Sequence, residues 1–109
     1  MRKNWEFKRV YRKGRKIPGF YSSIYFYKNG SDVNRFGFSI SKKVGNSVCR
    51  HRIRRLYFES LRRMQSNLRK GYDLVVVARK PASGMDYMVC RKEMETLVKR
   101  ARLWIYEGK

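Results

Sequence analysis

A chain of 109 residues has room for one domain (1–109) with a modest core and little more. Its 28 lysines and arginines against 8 acidic residues leave a formal charge of +20, a self-repulsion that a polyanionic partner would relieve. Hydrophobic residues at 42% and aromatics at 15% exclude a disordered basic tail, and no apolar run approaches the roughly 18 residues of a membrane span.

Residues 4–13 read as a short helix, with Asn4 as N-cap, Glu6 in the first turn and Gly14 as its stop. Phe7, Val10 and Tyr11 share one face, and Lys8, Arg9, Arg12 and Lys13 cover the other. Arg15 to Ile17 is a short extended piece, broken by Pro18-Gly19. Residues 20–28 alternate as a strand, with Ser22, Ile24 and Phe26 on one side and Tyr21, Ser23, Tyr25 and Tyr27 on the other. Asn29-Gly30-Ser31-Asp32 is a turn signal, so a strand over 35–42 is expected to return antiparallel as a hairpin. Its faces are Phe36, Phe38 and Ile40 against Gly37, Ser39 and Ser41, and the small polar set suggests an open sheet face.

A helix is expected over 46–69, with an apolar stripe of Cys49, Ile53, Leu56, Tyr57, Leu61, Met64 and Leu68 and with Gly71 ending it. The continuous apolar run from Tyr72 to Ala78 marks a central strand. A last helix, about 85–105, aligns Met94, Leu97, Val98, Ala101, Leu103 and Ile105 loosely. The order α, β, β, β, α, β, α makes an α+β fold, a two-layer α/β sandwich.

Arginines at 50, 52, 54, 55 and 62 crowd the middle helix, and Glu59 is the only carboxylate between Asp32 and Asp73. Pairing along the helix cannot neutralise that face, which suits phosphate contact. Gly45-Asn46 before it offers a tight turn and helix N-terminal amides to an anion. Phe7, Tyr11, Tyr25 and Tyr27 lie among cations; they fit core packing and base stacking equally well. Lys42-Lys43 and Arg79-Lys80 each follow the end of a strand, and would converge if those strands are neighbours.

Side-chain catalysis finds little support. His51, flanked by Arg50 and Arg52, is the single histidine, and no carboxylate close in sequence orients it. The eight carboxylates form no Asp-x-Asp or similar metal cluster; Asp73 and Asp86 read as turn or cap residues. Cys49 and Cys90 are too few and too far apart for a disulfide framework or a zinc site, and read as small buried thiols. With no apolar signal-peptide stretch in Met1-Arg2-Lys3-Asn4-Trp5-Glu6-Phe7-Lys8-Arg9, a cytoplasmic protein is expected.

At Lys43-Val44-Gly45-Asn46-Ser47-Val48-Cys49-Arg50-His51-Arg52-Ile53-Arg54-Arg55 the chain resembles the bacterial ribonuclease P protein family, whose hallmark is Lys-x-Gly-Asn-Ala-Val-x-Arg-Asn-Arg-x-Lys-Arg at the start of a long helix. The likeness extends to Phe38-Ser39-Ile40-Ser41-Lys42-Lys43, to Val76-Val77-Ala78-Arg79-Lys80-Pro81-Ala82 and to Phe7-x-x-Val10-Tyr11-x-x-Gly14. The resemblance implies an αβββαβα sandwich like the second domain of ribosomal protein S5, with a left-handed βαβ crossover through the arginine helix. It implies a monomeric protein subunit without catalytic residues or metal ligands, bound to a catalytic RNA that holds most of the Mg2+. That RNA cleaves precursor tRNA to give the mature 5′ end. Lys43, Asn46, Arg50, His51, Arg52, Arg54 and Arg55 would then bind the catalytic RNA. Phe7, Tyr11, Tyr25, Lys42, Arg79 and Lys80 would bind the single-stranded 5′ leader in a cleft between the first helix and the open sheet face.

Two positions depart from the pattern. His51 stands where the family has Asn, and Phe58 where it often has a basic residue. A ribosomal or other structural RNA-binding protein would share the charge and size but would need no leader cleft.

Overall fold

The computed structural model describes residues 3–106. Its elements run α1 (Asn4–Lys13), β1 (Arg15–Ile17), β2 (Ser22–Lys28), β3 (Arg35–Ser39), α2 (Ser47–Arg63), β4 (Tyr72–Ala78) and α3 (Tyr87–Arg100), with 3-10 turns at Gln65–Asn67 and Lys80–Gly84.

The four strands form one sheet in the order β1-β2-β4-β3. β1 and β2 pair antiparallel, β2 and β4 pair antiparallel, and β3 runs parallel to β4. The expected β2–β3 hairpin is thus corrected, because β4 inserts between the two strands. Leu74, Val75 and Val76 are apolar on both faces and are buried, so a central position removes more apolar surface from water than an edge would. The Asn29-Gly30 turn survives in another role. Asn29 Oδ1 accepts the Ser31 amide at 2.8 Å, and the Asn29 amide donates to the Gly71 carbonyl at 2.8 Å, so the loop spans the start of β4. Gly71 (φ +91°) opens β4 and does not end α2, and a side chain there would run into the Ser31 carbonyl.

Other boundaries moved for local reasons. β3 stops at Ser39, where the chain turns through a Val44 amide to Ser41 carbonyl bond of 3.1 Å. α1 is capped one residue early: the Lys3 amide donates to the Glu6 carboxylate at 3.1 Å, and Asn4 is already helical. At its other end, a Cβ on Gly14 would strike the carbonyls of Phe26 and Val10, so glycine lets α1 turn directly into β1. α2 ends at Arg63 because Gln65-Ser66-Asn67 prefers a turn, and Leu68 then bridges to Trp104. α3 starts after Asp86, whose carboxylate accepts the Val89 amide at 2.9 Å. It closes in a Schellman motif without glycine: Arg102 takes φ 62°, and the Leu103 amide reaches the Val98 carbonyl at 2.9 Å.

One sheet face packs against α2 and α3. Ile24, Phe26, Leu74 and Val76 meet Ile53, Tyr57, Leu61, Met64, Cys90, Met94, Leu97 and Val98 in the main core. The buried Tyr57 hydroxyl hydrogen-bonds Ser22 Oγ at 2.6 Å, and burial pushes its pKa upward despite that bond. Burial likewise raises the Cys90 thiol to about 11, as an inert core group, while Cys49 is half-buried. On the opposite face, α1 lies against β1, β2 and β4 and buries Val10 and Val75 completely. The expected open face is therefore open only beside β3.

Asp73, expected as a turn or cap residue, is fully buried at the heart of an ion network. Arg35 binds it through two nitrogens at 2.9 and 2.8 Å, Arg9 at 3.1 Å, and Asn29 Nδ2 at 3.0 Å. Arg35 also reaches Glu6 at 2.6 Å, which ties α1 to β3 and β4.

Candidate nucleic-acid interface

α1 and β3 frame a groove of about 360 Å3 lined by Asn4, Phe7, Lys8, Tyr11, Phe38 and Ser39. The helical residues fall at i, i+3, i+4 and i+7, one face of α1. Tyr11 is 38% exposed and meets Tyr25 edge-on, with ring centroids 4.8 Å apart; Phe7 lies 6.4 Å from Tyr11. Lys16 Nζ sits 5.5 Å from the Tyr25 ring, so a cation already faces this aromatic cluster. Of the rings expected here, Phe7 and Tyr11 line the groove and Tyr25 supports Tyr11. Tyr27 instead sits 5.6 Å from the Arg9 guanidinium. Asn4, Lys8, Phe38 and Ser39 were missed as lining residues; Lys8, expected on the opposite face of α1, instead lies four residues after Asn4 and three before Tyr11 and shares their side of the helix.

The predicted cation pairs do share one end of the sheet. Ser39 pairs with Val77, so the parallel strands β3 and β4 finish side by side before Lys42-Lys43 and Arg79-Lys80. Lys42, Lys43 and Lys80 are exposed; Arg79 donates to the Gly19 carbonyl at 2.6 Å. None of the four lines the groove itself.

α2 carries the second surface. Asn46 accepts the Cys49 amide at 2.8 Å, so its side chain serves as the N-cap. Glu59 bonds to Arg62 at 2.5 Å and Arg63 at 3.1 Å, and those bonds hold its carboxyl below the usual range. That leaves Arg50, Arg52, Arg54 and Arg55 with no carboxylate partner among the described residues. His51, Arg52 and Arg55 line a cleft of about 560 Å3 with Val48, Arg63 and Tyr87. Arg63 and Tyr87 escaped sequence reading, because the cleft forms only where α3 starts beside α2. Arg50 Nε donates to the Gly45 carbonyl at 3.2 Å, and Arg54 reaches the Phe38 carbonyl at 3.5 Å.

Arg52 also has a structural task. Its guanidinium forks onto the Met85 carbonyl at 2.8 Å and the Ser83 carbonyl at 2.7 Å, holding the turn after β4 against α2. Arg52→Lys keeps the charge but cannot span both carbonyls. It is expected to speed amide exchange in residues 82–86 while leaving that of β4 unchanged; equal exchange in both proteins would show the fork to be idle.

The sequence matches the family described as Ribonuclease P over residues 1–102. The chain belongs to the bacterial ribonuclease P protein family. It is 43% identical to the ribonuclease P protein component of Caldanaerobacter subterraneus subsp. tengcongensis, over 95% of this chain and 90% of that one. The component from Clostridium acetobutylicum is 46% identical, with 100% and 93% covered. The structure of the Staphylococcus aureus RNase P protein superposes with a TM-score of 0.89 at 32% identity, covering 95% of both chains. The Thermotoga maritima RNase P protein in complex with 1-(4-fluorophenyl)-2-thiourea gives 0.86 at 30% identity, covering 92% of this chain and 97% of that chain.

The fold is the αβββαβα sandwich of this family, and β3–α2–β4 is its left-handed crossover, an exception to the usual right-handed rule. The protein is the accessory subunit of a ribonucleoprotein endoribonuclease, which removes the 5′ leader of precursor tRNA. A purely ribosomal role is set aside by the family match. Catalysis in the family depends on Mg2+, and the described residues offer no cluster of ligands to hold a metal ion. The described residues bring no three His, Cys, Asp or Glu together, and the buried Asp73 and Glu6 are held by arginines. No described helix is long and apolar enough to cross a membrane.

Proposed function

We propose that α2 docks on the catalytic RNA through Lys43, Asn46, Arg50, His51, Arg52, Arg54 and Arg55, and that the α1–β3 groove takes the single-stranded leader. Phe7 and Tyr11 would stack on bases with Tyr25 behind them, while Lys42, Arg79 and Lys80 flank the path of the backbone. The observation that carries this reading is the pairing of four arginines lacking carboxylate partners with a separate aromatic groove on the other side of β3. Cations without carboxylate partners gain from phosphates, and rings beside cations suit unpaired bases. The Mg2+ ions would be held mainly by the RNA, and residues 1–109 would act in the cytoplasm as a single monomeric domain.

Arg55→Ala tests the docking face. Its side chain is exposed, so the melting temperature should hold. The log-log slope of RNA affinity against salt should become shallower by about one unit. An unchanged slope would remove Arg55 from the interface.

A further inference from the structure

β3 is an edge strand, and its free side separates two grooves. The first is the α1–β3 groove. The second, of about 410 Å3, lies between β3 and α2 and is lined by Phe38, Arg54, Arg55, Phe58 and Glu59. Phe38 borders both, its ring stacked on Tyr57 on the α2 side with centroids 5.8 Å apart, so the edge of β3 is what lies between the two. Phe58 is 53% exposed and stands one turn along α2 from Arg54 and Arg55.

Resting on the leader-groove reading above, we propose that the leader strand turns round the β3 edge and stacks one further unpaired base on Phe58. The chemistry of the second groove fits a single nucleotide. An exposed ring supplies the stacking face, and Arg54 and Arg55, which also belong to the face docked on the catalytic RNA, border the groove with positive charge. Glu59 closes the far end, and its carboxylate, already engaged by Arg62 and Arg63, offers a continuing backbone no further cation. The shared border at the β3 edge favours the leader over a segment of the catalytic RNA, which would meet the cationic face of α2 without crossing the strand.

The test uses the reconstituted holoenzyme and precursor tRNAs with leaders of increasing length, each carrying 2-aminopurine at one leader position. Phe58→Ala should weaken binding by about fivefold, and only once the leader extends beyond the α1–β3 groove. Fluorescence quenching at that one position should be lost with it, and Phe58→Tyr should restore both. Equal weakening for leaderless tRNA, or for the catalytic RNA alone, would place Phe58 against the catalytic RNA and overturn the proposal. No change at any length would also overturn it. Tyr11→Ala run in parallel separates the two readings. If Tyr11→Ala shows leader dependence and Phe58→Ala does not, only the extension fails; if Tyr11→Ala shows none, both fail.

Discussion

Tyr11→Ala is expected to weaken precursor tRNA binding by roughly 5- to 150-fold when the leader is several nucleotides long, the equivalent of about 1–3 kcal/mol for a lost stacking surface. The same variant should bind mature tRNA and the catalytic RNA as the parent does, since neither has a strand to lay in the α1–β3 groove. Tyr11 is 38% exposed and contributes one edge of its pair with Tyr25, so its loss leaves the core intact. Tyr25→Ala should show the same leader dependence with some added loss of stability, because Tyr25 is half-buried and holds Tyr11 in place. Tyr11→Phe should be mild, as the ring does the stacking. Titration of precursors against leader length, in the reconstituted holoenzyme, checks this. A penalty of equal size without any leader would make these rings packing residues.

The largest effect on stability is expected at Asp73. Burial alone would raise its carboxyl, but hydrogen bonds from Arg35, Asn29 and Arg9 outweigh that and hold it below its ordinary value. Asp73→Asn keeps the shape and removes the charge. It should cost about 2–4 kcal/mol at neutral pH, less than for a wholly buried pair because Arg35 and Arg9 are about one-third exposed and screened by water. The pH dependence follows from the lowered value. The ionised carboxylate contributes fully above the ordinary Asp range near about pH 4, and its contribution is lost as pH falls through the depressed value. Urea unfolding should therefore show a constant gap between parent and Asp73→Asn from pH 7 to pH 5, narrowing in stronger acid. Equal stabilities at pH 7 would mean that the network adds nothing. Because Arg35 joins Asp73 to Glu6, the same variant should also loosen α1 and widen the leader groove.

Several features were legible from residue order because each depends on neighbours close in sequence. The spacing of Ile53, Tyr57, Leu61 and Met64 assigns one face of α2 to the core, and that leaves Arg54 and Arg55 in water whatever else the chain does. The run from Leu74 to Val77 could only be a central strand. The motif around Asn46 and Arg50 placed the family, and Gly14 and Asp86 marked helix ends by chemistry confined to one turn.

Tertiary structure decided what depends on partners far apart. Periodicity assigns a residue to a face and is silent on which strand lies next to it, so the antiparallel hairpin expected from Asn29-Gly30 gave way to β4, which buries more by entering between β2 and β3. Asp73 meets Arg9 across 64 residues and Arg35 across 38, and its role as an anchor for α1 has no local signature. Arg52 and Arg55 look alike in sequence and are both exposed, yet the turn after β4 draws only Arg52 onto two backbone carbonyls. The groove itself exists because α1 covers one side of a sheet face and stops short of β3. Composition and helical spacing determined that this protein suits a polyanionic partner, and the motif around Asn46 and Arg50 made that partner RNA; the packing of α1 and the insertion of β4 decided where the groove proposed for the leader lies.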